Sequence, residues 1–340
     1  MVNENQPYLG RKHSRSTLYV VLFLAFFSQS LWAQEPEFTL YEYSPLYLNP
    51  ANTGNFDGNW RASIIYRNQW SAAVDGFISP GASFDARFRL LGQKLAAGLY
   101  FINDASGIGG LTYNKVYASI ALEKKISENT FIVAAQGGYV SGKVNSWYGW
   151  NPATRDFDAP SGEDNLEKSA YPDLNLGITW KRKIGITRNQ AGIAVNHLNT
   201  PNVSFFSGGT EKESIRIGFF GQSQVDINDK IFVKPGVVYV SKNASTFTLL
   251  GSDFGYKLQG RSRVKQVFGG VYLRNGLLES IDAVSIRGGV TAGQIDIAVN
   301  YDVTMSNIKQ PGNMGAFEVA IIYRSFGLVL NSYSIPCERF

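Results

Sequence analysis

The sequence predicts an all-β protein, a transmembrane antiparallel up-and-down β-barrel of about fourteen strands. Three observations predict it. Short segments recur along the chain in which an apolar face alternates with a charged or polar one, the period-two signature of a strand between two unlike media. Beyond the first 33 residues nothing approaches the roughly 20 consecutive apolar residues of a transmembrane helix. With 35 Gly, 18 Tyr and 22 Phe but only 17% charged residues, the composition is odd for an exported soluble protein and suits short aromatic strands in a membrane. Lipid offers no partner to backbone N–H and C=O groups, so such a sheet has to close on itself.

The N-terminus sets the compartment. Arg11, Lys12 and Arg15 precede the apolar run Leu18 to Phe27, and Leu31-Trp32-Ala33 supplies a small residue for cleavage. The run is too short to span a bilayer, so residues 1–33 read as a secretory signal peptide cut after Ala33. The residue directly after the cut is Gln34 and not a cysteine, which argues against a lipoprotein. Removing the leader takes three cations and one acid, so the formal charge falls from +5 to +3, too mild to point to nucleic acid. Cys337 is the single cysteine, so no internal disulfide can form in a compartment that permits one.

The segments follow in order. Residues 34–59 are a lead-in or plug, rich in aromatic and turn residues, and they run into a strand from Trp60 to Trp70. There Trp60, Ala62, Ile64 and Tyr66 oppose Arg61, Ser63 and Arg67. In Ser79–Leu91, Ala82, Phe84, Ala86 and Phe88 oppose Ser83, Asp85, Arg87 and Arg89, a face that a soluble sandwich could hardly bury. Leu95–Ile102, Tyr113–Glu123 and Thr130–Val140 continue the rhythm, with Lys115, Tyr117 and Ser119 on the polar face of the second. Lys143–Pro172 breaks it and reads as the longest loop, on the extracellular side where barrels keep long connections. Strands resume at Asp173–Arg182 and Ala191–His197. After a turn-rich stretch come Ser214–Val225, Ile231–Val240, Thr246–Tyr256, Val264–Arg274, Ile281–Val290, Gln294–Val303 and Ala316–Phe326. Each has roughly the 9–11 residues that cross a bilayer when tilted. The barrel thus spans 60–326, and 327–340, interrupted by Pro336, is an extension or a last strand.

Catalysis is tested by inventory. After the leader the chain has one histidine, His197, at a strand end, with no nucleophile setting around it, and one cysteine; neither a catalytic group nor a metal site follows, and the chain reads as not an enzyme and without a cofactor. Asp85, Arg87, Arg89, Lys115, Lys181, Glu318 and Arg324 are expected to line the lumen. A charge facing lipid at mid-depth would cost on the order of 2–4 kcal/mol, so they report topology, as a salt-bridged, solvated interior, rather than transport. Trp60, Trp70, Trp180, Tyr272 and Tyr323 fit an interfacial aromatic girdle. Trp147, Tyr148 and Trp150 in the long loop form a candidate partner-contact patch. Tyr43, Tyr47, Asn49, Pro50 and Asn52 make the N-terminal segment the other candidate functional element, either a plug or a periplasmic lead-in that caps the first strand.

Leu48-Asn49-Pro50-Ala51 with Gly54, followed by Tyr66-Arg67-Asn68-Gln69-Trp70, is also where the chain resembles the PorP/SprF family of outer-membrane proteins associated with the type IX secretion system. Asn103-Asp104, Asn196-His197-Leu198 with Pro201, Tyr301-Asp302-Val303 and Glu318–Arg324 extend the resemblance over nearly all of the chain after the leader, and the tail beyond Arg324 departs from it. The resemblance implies a Gram-negative, Bacteroidota-like outer membrane. It also implies work with the type IX export and gliding machinery, and partners among its secreted substrates or adhesins and its periplasmic components. The competing expectation is a passive or selective solute channel like the fatty-acid transporter barrels.

Overall fold

The computed structural model describes residues 35–69, 76–106, 110–144, 148–151, 156–160, 168–243, 245–260, 262–275, 281–305 and 315–325. The leader, Trp70, Trp147 and the tail from 326 onward lie outside the described residues.

Fourteen strands form one closed antiparallel barrel. In chain order they begin with β1 (Trp60–Gln69), β2 (Phe77–Leu90), β3 (Gln93–Ser106), β4 (Leu111–Ile126) and β5 (Asn129–Val144). After a separate two-stranded sheet of β6 (Tyr148–Asn151) and β7 (Asp156–Pro160) come β8 (Ser169–Ile184), β9 (Thr187–Asn196) and β10 (Arg216–Asp226). The wall is completed by β11 (Ile231–Lys242), β12 (Ser245–Lys257), β13 (Val264–Arg274), β14 (Ala283–Ala292), β15 (Ile295–Thr304) and β16 (Ala316–Ser325). Each barrel strand pairs with its sequence neighbours, and the seam closes where β1 meets β16, from Trp60 opposite Ser325 to Gln69 opposite Ala316. Closure leaves no edge, so every backbone ladder is satisfied without water.

Alternation puts the apolar side chains outside: Ile64, Leu99, Ile120 and Leu176 are all at least half exposed, whereas inward neighbours such as Arg61 and Asp85 are buried. The expected strand lengths need correction for β12 of 13 residues, for β2 and β3 of 14, and most for β4, β5 and β8, each of 16 residues. They carry alternation past the apolar band, so the long connection runs only over 145–168 and contains the β6–β7 pair. The remaining connections sort by end. At one end lie the tight turns after β2, β4, β8 and β14, the first using Leu91 and Gly92 at positive φ, as a hairpin of matching twist requires. At the other end lie 145–168, 197–215 and 305–315.

Candidate functional site

A barrel of eight strands is just filled by its own side chains, and sixteen or more leave an aqueous channel, so fourteen enclose space that something must occupy. The chain from Glu37 to Asn59 occupies it. It is short-turned rather than extended: a 3-10 turn at Tyr41–Tyr43, a helical turn at Pro45–Leu48 and a second 3-10 turn at Pro50–Asn52. Asn49 sets the last of these. It is extended (φ −158°, ψ 127°), as a residue before proline prefers, its side chain accepts from Ala51 N at 2.8 Å, and Pro50 fills the first position, where no amide hydrogen is needed.

The segment runs the length of the lumen. At the long-loop end Glu37 accepts from Arg216, the first residue of β10, at 2.8 and 3.0 Å. At the short-turn end Asn59 N donates to Ser325 O at 2.8 Å and its carbonyl accepts from Arg87 N at 2.9 Å, delivering the chain into β1.

Two charged clusters of the wall grip its first half. The backbone amides of Thr39 and Leu40 donate to the two oxygens of Glu318 at 2.8 and 2.7 Å. Arg67 of β1 pairs with Glu318 and, at 3.0 Å, with Asp302, which also takes Ser285, Asn300 and Arg274 at 2.6, 2.7 and 3.1 Å. In the second cluster Arg287 holds Asp253 bidentately at 2.7 and 2.6 Å and donates to Tyr272 Oη at 2.6 Å. Lys234 ties this cluster to Glu42 of the segment at 2.8 Å. Arg287 lies 3.9 Å over the Tyr272 ring, and Tyr41 meets Tyr272 edge-on at 6.5 Å. Burial pushes the phenols of Tyr41 and Tyr43 well up, and the Glu42 carboxylate beside them adds to it.

The second half sits on smaller groups. Asn49, fully buried, donates to Ile178 O at 3.3 Å. A Cβ on Gly177 would lie 2.1 Å from Asn49 Oδ1, so only glycine allows this approach. Thr53 Oγ1 and Ser119 Oγ share a hydrogen bond of 2.7 Å, and Gln136 donates to Leu46 O at 3.3 Å. Ala51 packs with Ala96, Ala121 and Ala134. One charged clasp completes it: Arg61 holds Asp85 bidentately at 2.9 and 2.8 Å and donates to Asn52 O at 2.9 Å, while Gly54 N donates to Asp85 at 2.7 Å. The core of the molecule therefore lies inside the barrel, where Phe38, Leu40, Tyr43, Leu46 and Tyr47 pack on Tyr100, Ile102 and Tyr117.

Among the sequence-derived candidates, Tyr43, Tyr47, Asn49, Pro50 and Asn52 are all buried in this segment. Arg67 joins them through Glu318, and Asn68 falls on the outward register of β1. Asp85, Lys115 and Glu318 are buried rather than solvated, because protein replaces water against them. Arg87, Arg89 and Lys181 lie toward the short-turn end, and Arg324 pairs with Asp296. Tyr272 is no girdle residue: it is fully buried, on the inward register between the exposed Val271 and Leu273. Tyr148 and Trp150 belong to β6, with Trp150 opposite Phe157, so the aromatic stretch is a strand pair and not irregular loop. His197 closes β9 at φ 61°, with Nδ1 2.9 Å from Asp173 Oδ2 and its amide on Asn175 Oδ1 at 3.0 Å. Asp253, Arg287 and Asp302 are anchors that the candidate residues omitted. Among the described residues no three metal-ligating side chains come together.

A closed fourteen-strand barrel with an apolar exterior and a charged interior defines an outer-membrane β-barrel protein. Residues 30–323 match the family model of the type IX secretion system membrane protein PorP/SprF, and the chain belongs to that family. No curated protein sequence matches it. Similar solved structures include a deltaS2 mutant of the TodX monoaromatic hydrocarbon channel, at 11% identity and TM-score 0.49 over 83% of this chain and 93% of that one. The Ralstonia pickettii toluene transporter TbuX follows at 11% and 0.45, over 82% and 93%. CdiB from Escherichia coli follows at 8% and 0.45, over 79% and 63%. None of these passes a function to this chain.

Proposed function

We propose that this protein is a plugged, non-conducting outer-membrane barrel of the type IX machinery that assists export or surface attachment of a secreted partner, such as a large adhesin, through its long-loop end. The observation that carries the reading is the segment Glu37–Asn59, which fills the lumen from end to end and is fixed to its wall by hydrogen bonds from its backbone to buried ion pairs of the wall and by its own Glu37–Arg216 and Glu42–Lys234 pairs. A solute channel would have to displace it, whereas an anchor has no need of conductance. The aromatic stretch around Tyr148 and Trp150 supplies contact surface for a protein partner at the long-loop end, with Trp147 beside it in sequence. In this reading residues 1–33 are removed on export, the protein performs no catalysis, and His197 is a structural residue that fixes the start of the 197–215 connection.

The test is an affinity pull-down of the tagged protein from detergent-solubilised outer membranes, paired with planar-bilayer recording. A large secreted protein should be recovered, deletion of 146–164 should reduce its recovery, and the purified barrel should stay electrically silent. Recovery of the barrel alone together with clear single-channel conductance would overturn the proposal in favour of a solute channel.

A further inference from the structure

The short-turn end carries cations in two tiers. Glu123 of β4 is approached by Lys94 at 3.0 Å and by Arg87 and Lys181 at 4.0 Å. Arg87 is on β2 and Lys181 on β8, neither of which borders β4, so these side chains meet across the mouth of the lumen and not along the outer wall. Two residues further toward the turns, on the same inward register, stand Arg89, Lys125 and Lys183. All three are exposed, and none has a carboxylate partner among the described residues. Carboxylates at this end of the barrel include Glu123, already shared by three cations, Asp226, held by Arg188 and Lys257, Glu128 in the β4–β5 turn and Asp57 at the foot of the internal segment.

The strand register makes the arrangement harder to explain by folding alone. Arg89 stands directly opposite Lys94, and Lys183 directly opposite Arg188. Like charges in such cross-strand pairs destabilise a sheet. Lys94 and Arg188 are relieved by Glu123 and Asp226, at 3.0 Å each, which leaves Arg89 and Lys183 as the uncompensated members.

We infer that this basic arc at the short-turn mouth is a docking site for an acidic, extended polypeptide segment presented from the periplasmic side. Short turns of outer-membrane barrels face the periplasm. The inward register excludes lipid, since headgroups lie against the outer wall. Size excludes a single phosphate as the natural occupant. From β2 to β8 the arc crosses four inter-strand spacings, roughly 19 Å, the reach of about six extended residues. The site is independent of the long-loop reading above, because it uses the opposite end of the barrel and different residues.

The test uses the full-length protein purified in detergent and fluorescein-labelled hexaglutamate, read by fluorescence anisotropy, with hexaglutamine as the uncharged control. Hexaglutamate should bind, hexaglutamine should not, and the affinity should fall as salt rises. The triple variant Arg89→Gln/Lys125→Gln/Lys183→Gln should weaken binding about tenfold or more at low ionic strength, with thermal unfolding unchanged or raised because the like-charge pairs are gone. Lys212→Gln, at the long-loop end, should bind as the parent does. Equal binding by parent and triple variant would overturn the inference. So would full displacement of the peptide by millimolar inorganic phosphate, which would mark a small-anion site instead.

Discussion

The two walls that hold the internal segment work by different physics. Strands β11 to β16 with β1 grip the first half through Glu318, Asp302, Arg67, Arg287 and Asp253, all nearly inaccessible to solvent. Strands β3 to β9 receive the second half on glycine, alanine, amides and hydroxyls, and the Arg61–Asp85 clasp between β1 and β2 adds one charged hold. Buried ion pairs contribute little net stability over a well-packed apolar wall, but breaking one is costly, so the first wall chiefly selects one position for Thr39 and Leu40. The second wall selects by shape, because a cradle of small residues excludes anything larger. One wall is therefore sensitive to losing a group and the other to gaining one.

The largest effect is expected from Glu318→Ala, which leaves Arg67 to Asp302 alone and strands the backbone amides of Thr39 and Leu40; breaking a buried pair in this way costs about 3–5 kcal/mol. Bilayer recording should show the silent barrel begin to conduct, with a lower thermal midpoint. If the variant stays closed and as stable as the parent, the charged wall is not what seats the first half. Gly177→Val tests the other wall, where a β-branched residue suits the strand but forces a Cβ into Asn49, an overpacking worth about 1–3 kcal/mol. Proteolysis should then cut the second half of the segment while the first stays protected. Asn49→Ala removes the cap of Pro50–Asn52 and should cost about 1 kcal/mol, read as a shift in denaturant midpoint without conductance.

The smallest effect should appear only in alkali. Tyr41 and Tyr43 have raised pKa values in the folded state, so their contribution is complete below the ordinary phenol value of about 10 and declines as pH rises above it. Tyrosinate absorbance should therefore lag behind that of an unfolded control on titration. Coincidence of the two curves would show these phenols to be solvated.

The alternation that positions the strands was legible because lipid and lumen impose opposite demands on successive residues, and all fourteen barrel strands were recognisable by it. The same rule applied strictly would have turned Tyr272 inward, since Val271 and Leu273 claim the outward register; reading it as a girdle residue followed its aromatic type instead. Asp253 and Arg287 each interrupt otherwise apolar or small-residue strands, a signal that such a charge needs an inward partner. Which charge meets which was not legible, because pairing across a lumen depends on barrel closure and not on local sequence. The Leu48-Asn49-Pro50-Ala51 stretch was visible as a motif, but its seat against Gly177 arises from residues more than a hundred positions away.

The grip of Thr39 and Leu40 on Glu318 joins residues 279 and 278 positions apart, and Arg67 and Glu318 belong to the first and last strands of the sheet. Thr39 and Leu40 therefore lack their anchor until synthesis and insertion have reached β16. Contacts of such long sequence separation form late, because the chain entropy of closing the loop must be overcome first. The anchor of Thr39 and Leu40 and the closure of the seam depend on the same last strand. A chain stalled before its last strand stays open-edged and lacks the buried carboxylate that anchors Thr39 and Leu40.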